Sequence, residues 1–365
     1  MKLVRKIMRA VPPPVYMQLP SVGVDVSDTS LKYVKFKADN RSGRTLELEH
    51  WGDITIPDGS VRRGTVHEAK HLTEAIRAVR ENTGIAYARV SLPEERAYLF
   101  ETEVQKGTPF KEIRGLLEFK LEENVPLSPR DAFFDYDIIN PHSDGPVRVS
   151  VTAYARDTVM SYYDACMAAK VIPLSFEVEA QAIARAAIPH HDQGTKLIVD
   201  FGQTRTGIGI VHRGVLMYTS TIDIGGQQLS AAIRSVKGDI SESECTEIKN
   251  TIGLTPAADD DSIYTVLESA MASIASEVET RMNYWHGTRT SISDRRIDTI
   301  VLCGGSVNMR GVPEYLSQKL RTPAVRADVW KNASLSDAYV PPIKQRYAYG
   351  YATAIGLALA PFSNV

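Results

Sequence analysis

Two short stretches limit what this chain can fold into more than any other feature. Each is an apolar strand carrying an aspartate near its end, then a polar turn, then a returning strand. The first runs Val22–Val26 with Asp25, turns at Ser27-Asp28-Thr29-Ser30 and returns over Leu31–Phe36. The second runs Leu197–Phe201 with Asp200, turns at Gly202-Gln203-Thr204-Arg205 and returns over Thr206–Val211. Apolar or alternating runs bounded by such turn residues read as β-hairpins. The two aspartates stand 175 positions apart, nearly half of the 365 residues. A single hydrophobic core stops growing at about 250–300 residues, so the spacing predicts two lobes, each opening on one hairpin.

Charge and composition narrow the function. With 42 Lys+Arg against 44 Asp+Glu, no basic excess is available to displace counterions, which argues against nucleic acid as a partner. A hydrophobic share of 43% rules out a mostly disordered chain. Cys166, Cys245 and Cys303 are too widely spaced for a C-x-x-C pair or a disulfide framework, so a reducing compartment is expected. No apolar run approaches the roughly 18–20 residues that span a bilayer. Pro12-Pro13-Pro14 interrupts the N-terminal stretch, so a secretory signal is not expected either.

The charge is unevenly placed. The first 20 residues hold Lys2, Arg5, Lys6 and Arg9 and no acid, which makes them +4 on a −6 body. Over residues 2–11, Leu3, Val4, Ile7, Met8 and Val11 form one helical stripe beside those bases, and three prolines stop it. Three readings stay open for this segment. It could be a frayed end, a segment docked on the body of the protein, or a weak membrane-surface contact of about 1 kcal/mol per basic residue.

Between the hairpins the pattern predicts a third strand across Thr45–Ile56 and a helix over Val66–Arg80 with Ala69, Leu72, Ile76 and Val79 on one face. Residues 87–155 read as strand-rich around one helix, which Thr108 and Pro109 start and which runs to about Glu123. A helix over 157–170 and the segment Val178–Ala187 lead to the second hairpin. After it come a strand at Leu216–Ile222, the pair Gly225-Gly226, and helices near 227–236, 241–251 and 262–286. Strand Thr299–Leu302 runs into Gly304-Gly305-Ser306, followed by a helix over 311–320 and a small-residue helix over Ala348–Leu359.

Two Asp-bearing hairpins facing one another suit a nucleotide phosphate chain. Turn N–H groups and hydroxyls can bind phosphate oxygens, and an Asp at each strand end can hold a hydrated magnesium ion. The first hairpin offers Asp25, Ser27, Ser30 and the cation Lys32; the second offers Asp200, Gly202, Gln203, Thr204 and Thr206. Gly304, Gly305 and Ser306 would let an adenine lie against backbone. Glu277 and Arg281, four apart on one helix face, would either bracket the ribose and adenine or simply pair with each other. One further motif is set aside. His67-Glu68-Ala69-Lys70-His71 fits H-E-x-x-H, but on the expected helix both histidines point roughly 160° away from the apolar face, toward water, with no third ligand.

The order of phosphate hairpin, connecting helix, second hairpin and Gly-Gly loop resembles the actin-like ATPase superfamily of actin, sugar kinases and heat-shock chaperones. Within it the chain is similar to the PilM family of type IV pilus assembly proteins, relatives of FtsA, over about residues 21–360. The similarity lies in Val22-Gly23-Val24-Asp25, in PLSPRDAFFDY at Pro126–Tyr136, in Ile172–Glu179, in STIDIGGQQLSAAI at 220–233 with Ile248-Lys249 after it, and in YGYATAIGLAL at Tyr349–Leu359.

The resemblance implies an α/β actin-like ATPase fold. It would have two lobes of mixed five-stranded sheets with flanking helices and an inserted FtsA-type small subdomain. The expected parts are a basic tail at 1–20, a first lobe at 21–190 with the insert at about 85–165, and a second lobe at 191–365. It implies ATP or ADP with magnesium, held through water by Asp25 and Asp200. Ser27 stands where the superfamily commonly has glycine two after the Asp, and the second turn is poor in glycine, so binding is expected and efficient hydrolysis is not. Glu179 is the candidate for orienting an attacking water; a helix-start acid favoured by the dipole is the plainer reading. The implied role is a cytoplasmic adaptor, peripheral at the inner membrane, that binds the N-terminal cytoplasmic segment of a PilN-like membrane protein in the groove between insert and first lobe; homo-oligomers are left open. The alternatives are a small-molecule kinase, which needs a carboxylate base beside its substrate, and an FtsA-like polymerising membrane tether.

Overall fold

The computed structural model describes residues 19–38, 45–140, 144–256, 262–288, 296–333, 335 and 339–362. The basic segment 2–11 lies outside the described residues. The first lobe begins with strands β1 (Val22–Val26), β2 (Ser30–Ala38) and β3 (Leu46–Thr55). A two-stranded hairpin, β4 (Val61–Arg62) and β5 (Thr65–Val66), precedes helix α1 (Ala69–Thr83). Leu72, Ile76 and Val79 bury one stripe of α1, and Gly84 ends it in the left-handed conformation, its N–H donating to the Arg80 carbonyl.

After β6 (Tyr87–Leu92) the chain leaves the lobe for β7 (Tyr98–Val104), helix α2 (Phe110–Asn124), β8 (Ala132–Ile138) and β9 (Val147–Ala155). These strands form a separate three-stranded sheet in the order β7-β9-β8. They carry their own small core of Phe100, Leu117, Leu121, Val149 and Val151. Helix α3 (Arg156–Ala168), β10 (Ile172–Val178) and α4 (Glu179–Ala187) return to the first lobe. The inserted unit therefore spans about 98–155, less than the expected 85–165. β6 is hydrogen-bonded into the main sheet, and Tyr162 of α3 is fully buried in the main core.

The second lobe contains β11 (Thr195–Phe201), β12 (Thr206–His212), β13 (Val215–Ile222), α5 (Gly226–Lys237), α6 (Glu242–Thr251) and α7 (Ser262–Thr288). It continues with β14 (Thr299–Cys303), α8 (Val312–Leu320), β15 (Ala324–Arg326) and α9 (Ala352–Leu359). The two main sheets run β10-β6-β1-β2-β3 and β13-β12-β11-β14-β15. In each, the first strand pairs antiparallel with the second and parallel with the fourth. The half-chain spacing of Asp25 and Asp200 is thus a repeat of sheet topology.

Three local expectations change. β10 is not legible as a strand in the sequence, because Pro173 interrupts its pattern. It is an edge strand with a register shift between Pro173 and Ser175, the position in which a sheet tolerates proline. The first helix starts at Ala69 rather than Val66, since Thr65–Val66 pairs with Val61–Arg62. His67 is therefore off the helix. His71, expected to face water, is half-buried with its Nδ1 2.7 Å from Ser60 Oγ. The small-residue helix is broken by a 3-10 turn at Tyr349–Tyr351.

The lobes are joined by an exchange of helices. α4 packs on strands of the second sheet, with Ala180 against Gly209, while α9, near the end of the chain, packs on β1, β2 and β6 of the first. The two helices cross where Gly356 meets Ala182. A Cβ at Gly356 would lie 1.8 Å from the Ala182 carbonyl oxygen, and one at Gly23 would lie 2.3 Å from the Ala354 oxygen. Because backbone is the obstacle, a methyl cannot be accommodated by a rotamer change. Gly356→Ala should cost about 1–3 kcal/mol in denaturant unfolding. An unchanged midpoint would show that the crossing is not tight.

Candidate functional site

The ends of β1 and β11 open onto an interlobe cleft of about 830 Å³. Of the residues expected at a phosphate site, Asp25, Ser27, Ser30, Lys32, Glu179, Asp200, Gly202, Gln203, Thr204, Gly304 and Gly305 line it. Local pairing explains their positions. Asp25 is opposite Lys32 across the first hairpin, and Lys32 Nζ donates to Ser30 Oγ at 2.8 Å and lies 3.5 Å from Asp53. The tip closes on itself, with the Ser27 N–H and Oγ both donating to the Ser30 carbonyl at 2.9 Å. In the second hairpin the Gly202 N–H donates to the Arg205 carbonyl at 3.0 Å. That turn is tied to the start of α5, where the N–H groups of Gly226 and Gln227 donate to the carbonyls of Gly202 and Gln203.

Four expected residues lie outside the cleft lining. Thr206 is fully buried, its hydroxyl donating to the Ile224 carbonyl at 2.7 Å. Ser306 donates to the Gly202 carbonyl at 3.1 Å, bracing the turn. Glu277 and Arg281 pair with each other on α7. The two loop glycines also differ. A Cβ at Gly304, where φ is +86°, would lie 2.5 Å from Asp200 Oδ1, so glycine is needed for the loop to pass that carboxylate. Gly305 faces open space in the cleft.

The electrostatics of the floor are dominated by carboxyl groups. Burial, followed by the Asp25 charge, pushes Asp200 up to about 7 against the pull of Lys32. Asp25 is raised by burial, opposed by Lys32 and by the hydrogen bond from Ser91 Oγ. Burial and neighbouring carboxylates hold Glu179 and Glu94 well above the usual range. Acids pushed up together in this way mark a site short of positive charge. Hard oxygen donors of this kind fit a magnesium ion that keeps its waters. Among the described residues no three His, Cys, Asp or Glu side chains converge to hold a metal directly.

The shift on Asp200 has a consequence for stability. Without a bound cation, Asp200 keeps its proton in the fold up to about pH 7 and loses it near 3.8 when unfolded. Between those values the folded chain binds more protons, so this contribution is full at low pH and is lost as pH rises through 7. Denaturant unfolding of the nucleotide-free chain should show Asp200 contributing on the order of 2 kcal/mol of decline from about pH 5.5 to 7. Asp200→Asn should flatten that decline. An identical pH profile in the variant would refute the assignment.

Several residues of the site carry no motif. Ser91 bridges the Val26 N–H and Asp25. Glu94 is buried behind Asp200, with its Oε2 packed where Gly207 has no side chain. Arg205 reaches from the second hairpin to the first lobe, with Nη2 2.7 Å from Asp28 and Nη1 paired with Glu95. It therefore ties one hairpin tip to the other across the cleft mouth. The basic character of position 205 is visible in sequence; its partners, more than a hundred residues away, are not.

A second concavity, of about 890 Å³, lies between the inserted sheet and the first lobe. Its walls include β8, β10 and one side of α3, with Phe133, Tyr163, Leu174 and Phe176 among its apolar groups. Both β8 and β10 are edge strands. Asp135 and Asp137 stand on the β8 side, while Glu177 is paired with Arg185 at 2.5 Å. Among the described residues no helix is long and apolar enough to cross a membrane, and all three cysteines are free and buried.

Solved structures share this fold. A PilM-PilN type IV pilus biogenesis complex matches at TM-score 0.75 and 19% identity, covering 94% of this chain and 99% of the matched one. The ethanolamine utilization protein EutJ from Carboxydothermus hydrogenoformans matches at TM-score 0.54 and 15% identity, over 96% and 90%. MreB 5 of Spiroplasma citri bound to AMPPNP matches at TM-score 0.51 and 13% identity, over 86% and 93%. These likenesses establish the α/β actin-like fold. The family described as type IV pilus assembly protein PilM matches residues 23–362, both lobes and the insert together, and the chain belongs to that family.

Proposed function

We propose that this chain is an adenine-nucleotide-binding adaptor of the type IV pilus assembly platform, which holds the N-terminal cytoplasmic segment of a PilN-like inner-membrane protein in the groove beside β10. The observation that carries the reading is the groove itself. Two strand edges that no further strand covers among the described residues flank an aromatic-lined trough, and an extended peptide can add its backbone to such an edge while its side chains fill the trough. The PilM-PilN complex among the structural neighbours supports the class of partner.

The cleft would take ATP or ADP, as the AMPPNP-bound neighbour supports. Asp25 and Asp200 would hold magnesium through water, Lys32 would meet the phosphates as a point charge, and Gly305 would leave room for the nucleoside. Bound magnesium would supply the positive charge that the floor lacks. Burial and the neighbouring carboxylates favour the protonated form of Glu179, which cannot take a proton from water, until such a cation arrives, and this fits slow or absent hydrolysis. Arg205, already engaged with Asp28 and Glu95, would have to share or exchange those partners with a phosphate chain. The adaptor reading is tested by titrating a fluorescent peptide from the cytoplasmic end of the PilN-like protein into the full chain. Saturable binding is expected, and its absence, or rapid phosphoryl transfer to a sugar or small acid, would overturn the reading.

A further inference from the structure

The groove and the basic segment at the start of the chain are closer in the fold than in any linear description. Val22 opens β1 and pairs with Ala88 of β6, which pairs in turn with Pro173 of β10, a residue of the groove wall. Two strand spacings of about 4.8 Å separate them, so the chain enters the sheet about 10 Å from the groove. Leu19 and Pro20, just before this entry, are exposed. Residues 1–18 can extend to about 60 Å, and β10 is about 23 Å long. A segment tethered this closely meets the groove at an effective concentration of about millimolar.

We propose that residues 1–18 dock in the groove along β10 and β8 and compete there with the partner's segment. This rests on the reading of the groove as a peptide site. The chemistry is complementary. Residues 1–18 carry Lys2, Arg5, Lys6 and Arg9 with no acid, interleaved with Leu3, Val4, Ile7 and Met8. The groove offers Phe133, Tyr163, Leu174 and Phe176 with Asp135 and Asp137 at its side. Burial, then Asp135, raises the Asp137 carboxyl, a condition that an arriving cation relieves. The competition makes the groove self-covering, so the partner must displace an intramolecular occupant and binds more weakly than its contacts alone would allow.

Hydrogen exchange on the full chain tests this. Amides of residues 132–138 and 172–178 should exchange at least fivefold faster in the Lys2→Glu/Arg5→Glu/Lys6→Glu/Arg9→Glu variant than in wild type. Asp135→Asn/Asp137→Asn should have the same effect from the groove side. The partner peptide should bind the charge-reversed tail variant at least fivefold more tightly. Equal exchange in wild type and variant, with the peptide protecting both, would overturn the proposal and leave the groove reading intact. A peptide that protects neither would overturn the groove reading. Equal groove exchange together with phosphatidylglycerol vesicles sedimenting wild type alone would assign the segment to the membrane and overturn the proposal.

Discussion

ATP with magnesium is expected to raise the melting temperature of the wild-type chain, and Asp200→Ala is expected to abolish that rise. Asp200 lies near the end of β11, between β12 and β14, at the point where the strand opens onto the cleft. Removing it takes away one of the two carboxylates proposed to hold the hydrated ion. A loss of at least a hundredfold in affinity is expected, about 3 kcal/mol. Ligand at a hundred times its dissociation constant stabilises by about 2.7 kcal/mol, so such a loss leaves almost none of the shift. The nucleotide-free variant should meanwhile melt no lower than wild type at pH 7.5. Relief of the crowding among Asp25, Glu94 and Glu179 offsets the small cavity left by truncation. This separation of ligand effect from fold effect distinguishes lost binding from a damaged protein. Thermal unfolding with and without Mg-ATP, supported by calorimetric titration, reads both; an unchanged shift in the variant would sink the site assignment.

The second large effect is in the groove. Phe133→Ala/Tyr163→Ala should weaken binding of the PilN-like peptide by about 30- to 1,000-fold, as expected when two aromatic anchors of about 1–2 kcal/mol each are removed. Phe133 is 37% exposed and Tyr163 38% exposed, so truncating them leaves the cores intact. Fluorescence anisotropy should report the loss while the melting temperature stays within a degree or two. Nucleotide binding should be unaffected, since neither residue lines the cleft. Full peptide affinity in the double variant would place the peptide elsewhere.

The amount that was legible in sequence differs from element to element. The hairpins at Asp25 and Asp200 and the strand before Gly304 form where expected, because strand pairing and turn chemistry act over a few residues. α6 begins at Glu242 as the pattern suggests, since Ser241 and Glu244 satisfy each other's backbone N–H groups. Strand β10 was hidden by a proline that only an edge position permits. Arg205, which the sequence shows only as a member of a glycine-poor turn, is a tie between lobes. Gly304 looked like a ligand cradle and is required first by Asp200.

What the sequence determined by itself is the pair of lobes, the Asp-bearing hairpins that open them, the glycine loop and the resemblance that these make together. Each is written in residues adjacent along the chain, where pattern and propensity act. Only the tertiary structure decided that α4 and α9 change lobes at Gly356 and Ala182, that β8 and β10 leave two edges facing one trough, and that four carboxyl groups share one poorly solvated floor. Those outcomes depend on contacts between segments that are not neighbours along the chain, from about twenty to more than a hundred residues apart, where close approach of backbone and the cost of desolvating charge override any local signal.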